Sequence, residues 1–247
     1  MTKSTMLQKK ILGPLGLAVA KHGFPSKVAP RTNNFEMATS CGYLGIFVNP
    51  IRHGNEMQFS LSCGISIKHV QAELIKTELY AQDYVGSTWT CGALVENLEK
   101  YKRWILPLSP ASKALLSLGI RPRKGVFKGY VDAYMPVTAD DATVERHVHR
   151  LMAQIDTYCW PFLSQYGFSE ESFLSLCERD DDFVDVCFSS LEMQILAGLI
   201  LARKLERDDA ARVIKLIGEH KGAYYAKHGN PRPLELINKI GRQLDLL

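Results

Sequence analysis

Alternation of apolar and polar positions is strictest over residues 57–67. Apolar side chains occupy 57, 59, 61, 63, 65 and 67, with Gln58, Ser60, Ser62, Gly64 and Ser66 between them. Period two sends neighbouring side chains to opposite faces, so the spacing predicts a strand with one face on a core and the other wet or lightly packed. Residues 43–48 are rich in β-formers, and residues 49–55 carry Asn-Pro and His-Gly-Asn turn chemistry. Together the two stretches predict a hairpin with a long loop. Phe35, Met37, Thr39 and Cys41 also alternate and predict a neighbouring strand. Weaker strand signals cover 84–91 and 126–134, with a helix over 94–104 between them. Pro107, Pro110 and Pro122 then mark loops or element ends. Residues 4–12 read as a leading helix.

After Pro136 the period changes. Val144, Val148, Leu151, Ile155 and Tyr158 are spaced 4, 3, 4 and 3, one face of a helix that Asp140 or Asp141 is placed to cap and Pro161 to break or end. Ser169 opens a second helix through Cys177. Ser190 or Ser189 caps a third to about Leu205, a fourth spans 210–220, and a fifth follows Pro231 and Pro233 with Leu234, Ile237, Ile240 and Leu244 as its stripe. The third and fourth read as one plain helical hairpin, since a single copy does not make a stacking array. The fold expected is α+β: an N-terminal antiparallel sheet with flanking helices over 1–136, then a C-terminal helical bundle over 137–247, packed as one unit.

Composition adds the setting. Hydrophobic residues make up 46% and charged residues 23%, which fits a globular chain. The first residues show no signal-peptide pattern, and the longest apolar run, 195–202, is too short for a membrane span. Six cysteines lie far apart with no C-x-x-C pair, the usage of reduced and buried thiols, so the expected location is the cytoplasm. The net charge of +4 divides unevenly: residues 1–135 hold 17 Lys+Arg against 8 Asp+Glu, and residues 136–247 hold 13 against 18. Fields of opposite sign suit self-docking of the halves or a charged partner for one of them.

Candidate chemistry is sparse. Cys41, Cys63 and Cys91 each precede a glycine, but none has the glycine two residues earlier that a nucleophile elbow needs. Cys91 with His69 or His53 is the thiol–base pair to consider for a hydrolase. Glu145 and His149, four apart, share a helix face while His147 and His149 do not, so the three read as a solvated polar face rather than a metal site. Residues 178–185 hold the densest acidic stretch: Glu178, Asp180, Asp181, Asp182 and Asp185. It lacks the glycine and terminal glutamate of a calcium loop and reads as a turn between helices or a negative patch for a basic partner. Arg121, Arg123, Lys124 and Lys128, beside Phe127 and Tyr130, form a basic loop of the kind that holds phosphates and stacks bases. No glycine-rich phosphate loop occurs, and no cofactor is expected.

Residues 11–16 (ILGPLG), the strands at 35–48 and 57–67, residues 144–162 ending in YCWPF, and FSEESF at 168–173 form a further pattern. This pattern resembles a class of bacterial domains of unknown function, a small sheet followed by helices, some encoded beside toxins as immunity proteins. The resemblance implies a protein partner, such as a basic toxin domain, and supplies no catalytic residues. The leading expectation is therefore a non-enzymatic protein-binding module, such as a toxin-neutralising immunity protein. An enzyme with a Cys/His site and a nucleic-acid binder acting through 121–128 stand as alternatives.

Overall fold

A computed structural model describes residues 3–27, 34–77, 89–100 and 134–247. The chain is α+β, with an antiparallel sheet in its N-terminal half followed by a helical region. The elements are α1 (Lys3–Ala20), β1 (Asn34–Ala38), β2 (Gly42–His53), β3 (Glu56–Ile67), α2 (Lys68–Ile75), β4 (Cys91–Leu94) and α3 (Val95–Lys100). Then come β5 (Tyr134–Pro136), α4 (Asp141–Gln154), a π-turn (Ile155–Cys159), α5 (Trp160–Tyr166), α6 (Glu170–Cys177), α7 (Asp182–Cys187), α8 (Leu191–Lys204), α9 (Asp208–Lys227) and α10 (Arg232–Gln243). The sheet order is β1-β2-β3-β4, with β5 pairing antiparallel to β3 in the register Glu56↔Pro136, Met57↔Met135 and Gln58↔Tyr134. Two compact units interleave along the chain. One comprises Met1–Met37, Gly45–Cys63 and Leu94–Phe162, the other Ala38–Leu44, Gly64–Ala93 and Leu163–Leu247.

The strand predicted at 57–67 is β3, and the neighbour predicted from Phe35 is β1. The long hairpin loop is replaced: β2 continues through Asn49-Pro50 to His53, and the chain reverses at Gly54, whose φ of +58° lies in the left-handed region that suits glycine. β1 has five residues against twelve in β2, which carries Pro50 within it. The second face of β3 is not wet throughout, because residues 63–67 are buried on both sides, Ser66 included. Of the weaker strand signals, 84–88 and 126–133 lie outside the described residues, as do 101–104 of the expected helix.

In the first unit, α1 runs past the expected end at residue 12 and through Pro14. Leu7, Ile11, Leu15 and Ala18 are all buried, and burying that stripe outweighs the hydrogen bond the proline lacks. Lys10 pairs with Asp141 at 2.5 Å, joining α1 to α4. Asp140 caps α4 by accepting from the Thr143 N–H at 2.7 Å. Pro161 does not end the helical path. The Trp160 N–H bonds back to the Ile155 carbonyl, and this wider turn leaves Pro161 in the first turn of α5, where no N–H is needed.

In the second unit, a Cβ on Gly42 would fall 1.7 Å from the Ser66 carbonyl oxygen, so the backbone at the start of β2 passes where no side chain fits. Ser169 and Ser190 cap α6 and α8 as expected. The region from 134 onward holds seven α-helices and the π-turn rather than five helices, the additions being α5 and α7. The fourth expected helix is also longer, ending at Lys227 before Gly229 takes a φ of +83°. Every residue of α8 from 193 to 202 is buried, the pattern of a central helix, and α9, α6, α10 and α2 pack around it.

Candidate functional site

The acidic stretch is built more tightly than a solvated turn, because part of it is the helix α7. Asp181 caps that helix: its Oδ1 accepts from the N–H groups of Phe183 at 3.0 Å and Val184 at 3.2 Å. Its Oδ2 takes Arg179 Nη2 at 2.6 Å. Arg179 also donates to the Tyr166 hydroxyl at 3.3 Å and lies over the Phe183 ring at 4.9 Å. From below, buried Gln194 on α8 donates to the carbonyls of Cys177 at 3.0 Å and Arg179 at 2.8 Å. Lys221 of α9 reaches Asp185 at 2.6 Å and Asp180 at 3.3 Å. Its side chain is 14% exposed, while those of Asp180 and Asp185 remain 46% and 50% exposed. His220 Nδ1 stands 4.0 Å from Asp180.

The five carboxylates therefore divide by role. Asp181 holds the fold, Asp180 and Asp185 share one lysine and still face water, and Asp182 is exposed in the first turn of α7. Glu178 follows α6 as its C-cap and is half-buried. Against five carboxylates stand Arg179 and, from α9, Lys221, so the stretch keeps a net negative charge. Sequence reasoning missed Gln194 and Lys221. The one usable signal was Gln194 itself, a polar residue within an apolar run.

The thiols are placed for packing. Five of the six free cysteines are buried, and Cys41 is half-buried with its Sγ donating to the Gly167 carbonyl at 3.4 Å. Burial pushes the Cys91, Cys177 and Cys187 thiols above their ordinary range, the reverse of what a nucleophile needs. Burial also lowers His69, with Lys204 adding to the effect.

Glu145 and His149 do face one another, 3.8 Å apart and exposed. His147 is not on that solvated face: it is 7% exposed, edge-on to Phe59 with ring centroids 5.9 Å apart, and its Nε2 has no hydrogen-bond partner. Its position four residues before Leu151 places it beside the apolar stripe. Burial, then the charge of Arg150, lowers its pKa to about 4. In the same unit His22 stacks on Trp160 at 4.6 Å and meets Asp156 Oδ1 at 2.8 Å, while Lys21 takes Oδ2 at 2.6 Å. This cluster ties the end of α1 to the π-turn.

Among the described residues, no three His, Cys, Asp or Glu side chains are grouped to hold a metal ion, and no helix is long and apolar enough to cross a membrane. An open recess of about 380 Å³ lies at the start of α8, lined by Tyr225, Asn230 and Arg232 among others. The basic residues Arg121, Arg123, Lys124 and Lys128 lie outside the described residues. Comparison of the chain with protein-family models, with curated proteins and with solved structures gave no match.

Proposed function

We propose that the second unit is a non-enzymatic protein-binding module whose acidic turn meets a basic protein surface. The supporting observation is the arrangement at Lys221: one largely buried amine fixes Asp180 and Asp185, yet both carboxylates stay half exposed beside exposed Asp182. Carboxylates held in place lose little freedom on binding, and a field of one sign speeds encounter and sets register. A basic toxin domain, the partner implied by the immunity-protein resemblance, has the required sign. The finer reading is that this chain neutralises such a domain.

The test is affinity capture from the native host with the wild-type chain and with the triple variant Asp180→Lys, Asp182→Lys, Asp185→Lys. Asp181 is left in place because it caps α7. A basic protein retained by wild type and lost from the folded triple variant supports the reading. Equal retention by both would remove the acidic turn from the interface.

A further inference from the structure

The open recess of about 380 Å³ at the start of α8 is shaped by a fixed reversal of the chain after α9. Gly229 takes a φ of +83°, and the Asn230 N–H bonds back to the Tyr225 carbonyl at 2.9 Å. That closure brings Asn230 and Arg232 beside the Tyr225 ring, with Pro233 following. Tyr225 is itself held: it meets Tyr224 edge-on at 5.9 Å, and Tyr224 packs on His228 at 4.2 Å. His228 Nδ1 donates to the Tyr224 carbonyl at 2.8 Å, which fixes that ring in turn. Leu191 and Glu192, from the first turn of α8, close the other side. The Tyr225 ring stays 38% exposed.

The lining is chemically mixed. One guanidinium and one carboxylate share the space, so neither a bare anion nor a bare cation meets complementary charge on both sides. A ligand that carries an anionic group together with hydroxyl or amino donors satisfies both. A phenol ring beside a carboxamide adds a stacking surface and an edge that donates and accepts. A volume of about 380 Å³ lies near the lower end of small-molecule sites, room for one flat ring, one sugar and one phosphate. We infer that the recess binds a mononucleotide: the base stacks on Tyr225 and is read by Asn230, Glu192 accepts from ribose hydroxyls, and Arg232 takes the phosphate. A planar guanidinium suits the last contact, since it can donate two parallel hydrogen bonds to phosphate oxygens. Leu191 and Pro233 supply the apolar part of the wall. The inference does not depend on the partner proposed for the acidic turn.

Isothermal titration of the full chain with AMP, GMP, CMP and UMP tests the site. Saturable one-to-one binding of at least one of them is expected. Arg232→Gln should weaken that nucleotide about tenfold or more and leave the matching nucleoside unaffected, because only the phosphate contact is lost. Tyr225→Ala should weaken nucleotide and nucleoside alike by about tenfold, while Tyr225→Phe, which keeps the ring, should bind as wild type does. Glu192→Gln should narrow the preference for the ribonucleotide over its 2′-deoxy form. Circular dichroism matching wild type shows that each variant is folded. No saturation by any of the four nucleotides at millimolar concentration would overturn the inference. So would binding that Tyr225→Ala and Arg232→Gln both leave unchanged.

Discussion

His147 is the residue whose burial carries the clearest consequence for pH. Its imidazole is enclosed beside Phe59 with Nε2 unpartnered, so the folded chain holds it neutral, with a pKa of about 4 against 6.5 for the free side chain. A folded pKa below the unfolded one means that the unfolded chain binds the extra proton. Stability is then full above pH 6.5 and falls as the pH drops towards 4, by about 2–3 kcal/mol for this one group. Urea titrations at pH 7 and pH 4.5 should show that loss, and His147→Leu should shrink the difference between the two. An unchanged difference would place the acid sensitivity elsewhere. Residue by residue, the acidic turn also separates structure from surface. Asp181→Ala removes a helix cap and an arginine partner and should cost about 1–2 kcal/mol. Asp182→Ala, with no such contacts described, should leave the denaturation midpoint within about 0.5 kcal/mol of wild type.

Close backbone approach governs the start of β2. Gly42 sits against the Ser66 carbonyl with no room for a methyl group, so Gly42→Ala must push β2 away from the end of β3. Overpacking against backbone should cost about 3 kcal/mol, read as a lowered thermal midpoint with α-helical circular dichroism retained below it. This position illustrates what could be read from sequence and what could not. The alternation over 57–67 and the stripe from Val144 to Ile155 were legible, because each records one face of one element. Gly42 was not, since its constraint comes from a residue 24 positions away. The same distinction explains Pro14 and Pro161. Each looks like a local break, yet buried neighbours in one case and a π-turn in the other carry the helix past it. Residues 178–185 read as a turn because their charge hides Phe183 and Val184, which with Cys187 form the buried face of α7.

Across the whole molecule, the order of sheet then helices follows the change of period near Pro136, and this was readable from hydrophobic spacing alone. The compact units were not, because both draw on early and late segments and a boundary in sequence does not describe them. The candidate site was legible only as an excess of carboxylates. Asp180 and Asp185 are tied down by Lys221 of α9, while Gln194 of α8 holds the backbone of the turn, and no local pattern links those helices to it. For the same reason, the sign of the partner follows from composition while the geometry of contact does not.

The double engagement of Lys221 also makes the spacing of Asp180 and Asp185 depend on a single nitrogen. Acylation of that amine would erase the positive charge between Asp180 and Asp185, leaving two carboxylates to repel across the space it filled. Shielding by those same carboxylates should make it slow to react with amine-directed reagents in the folded chain. Once modified, the turn would be both more negative and less firmly held.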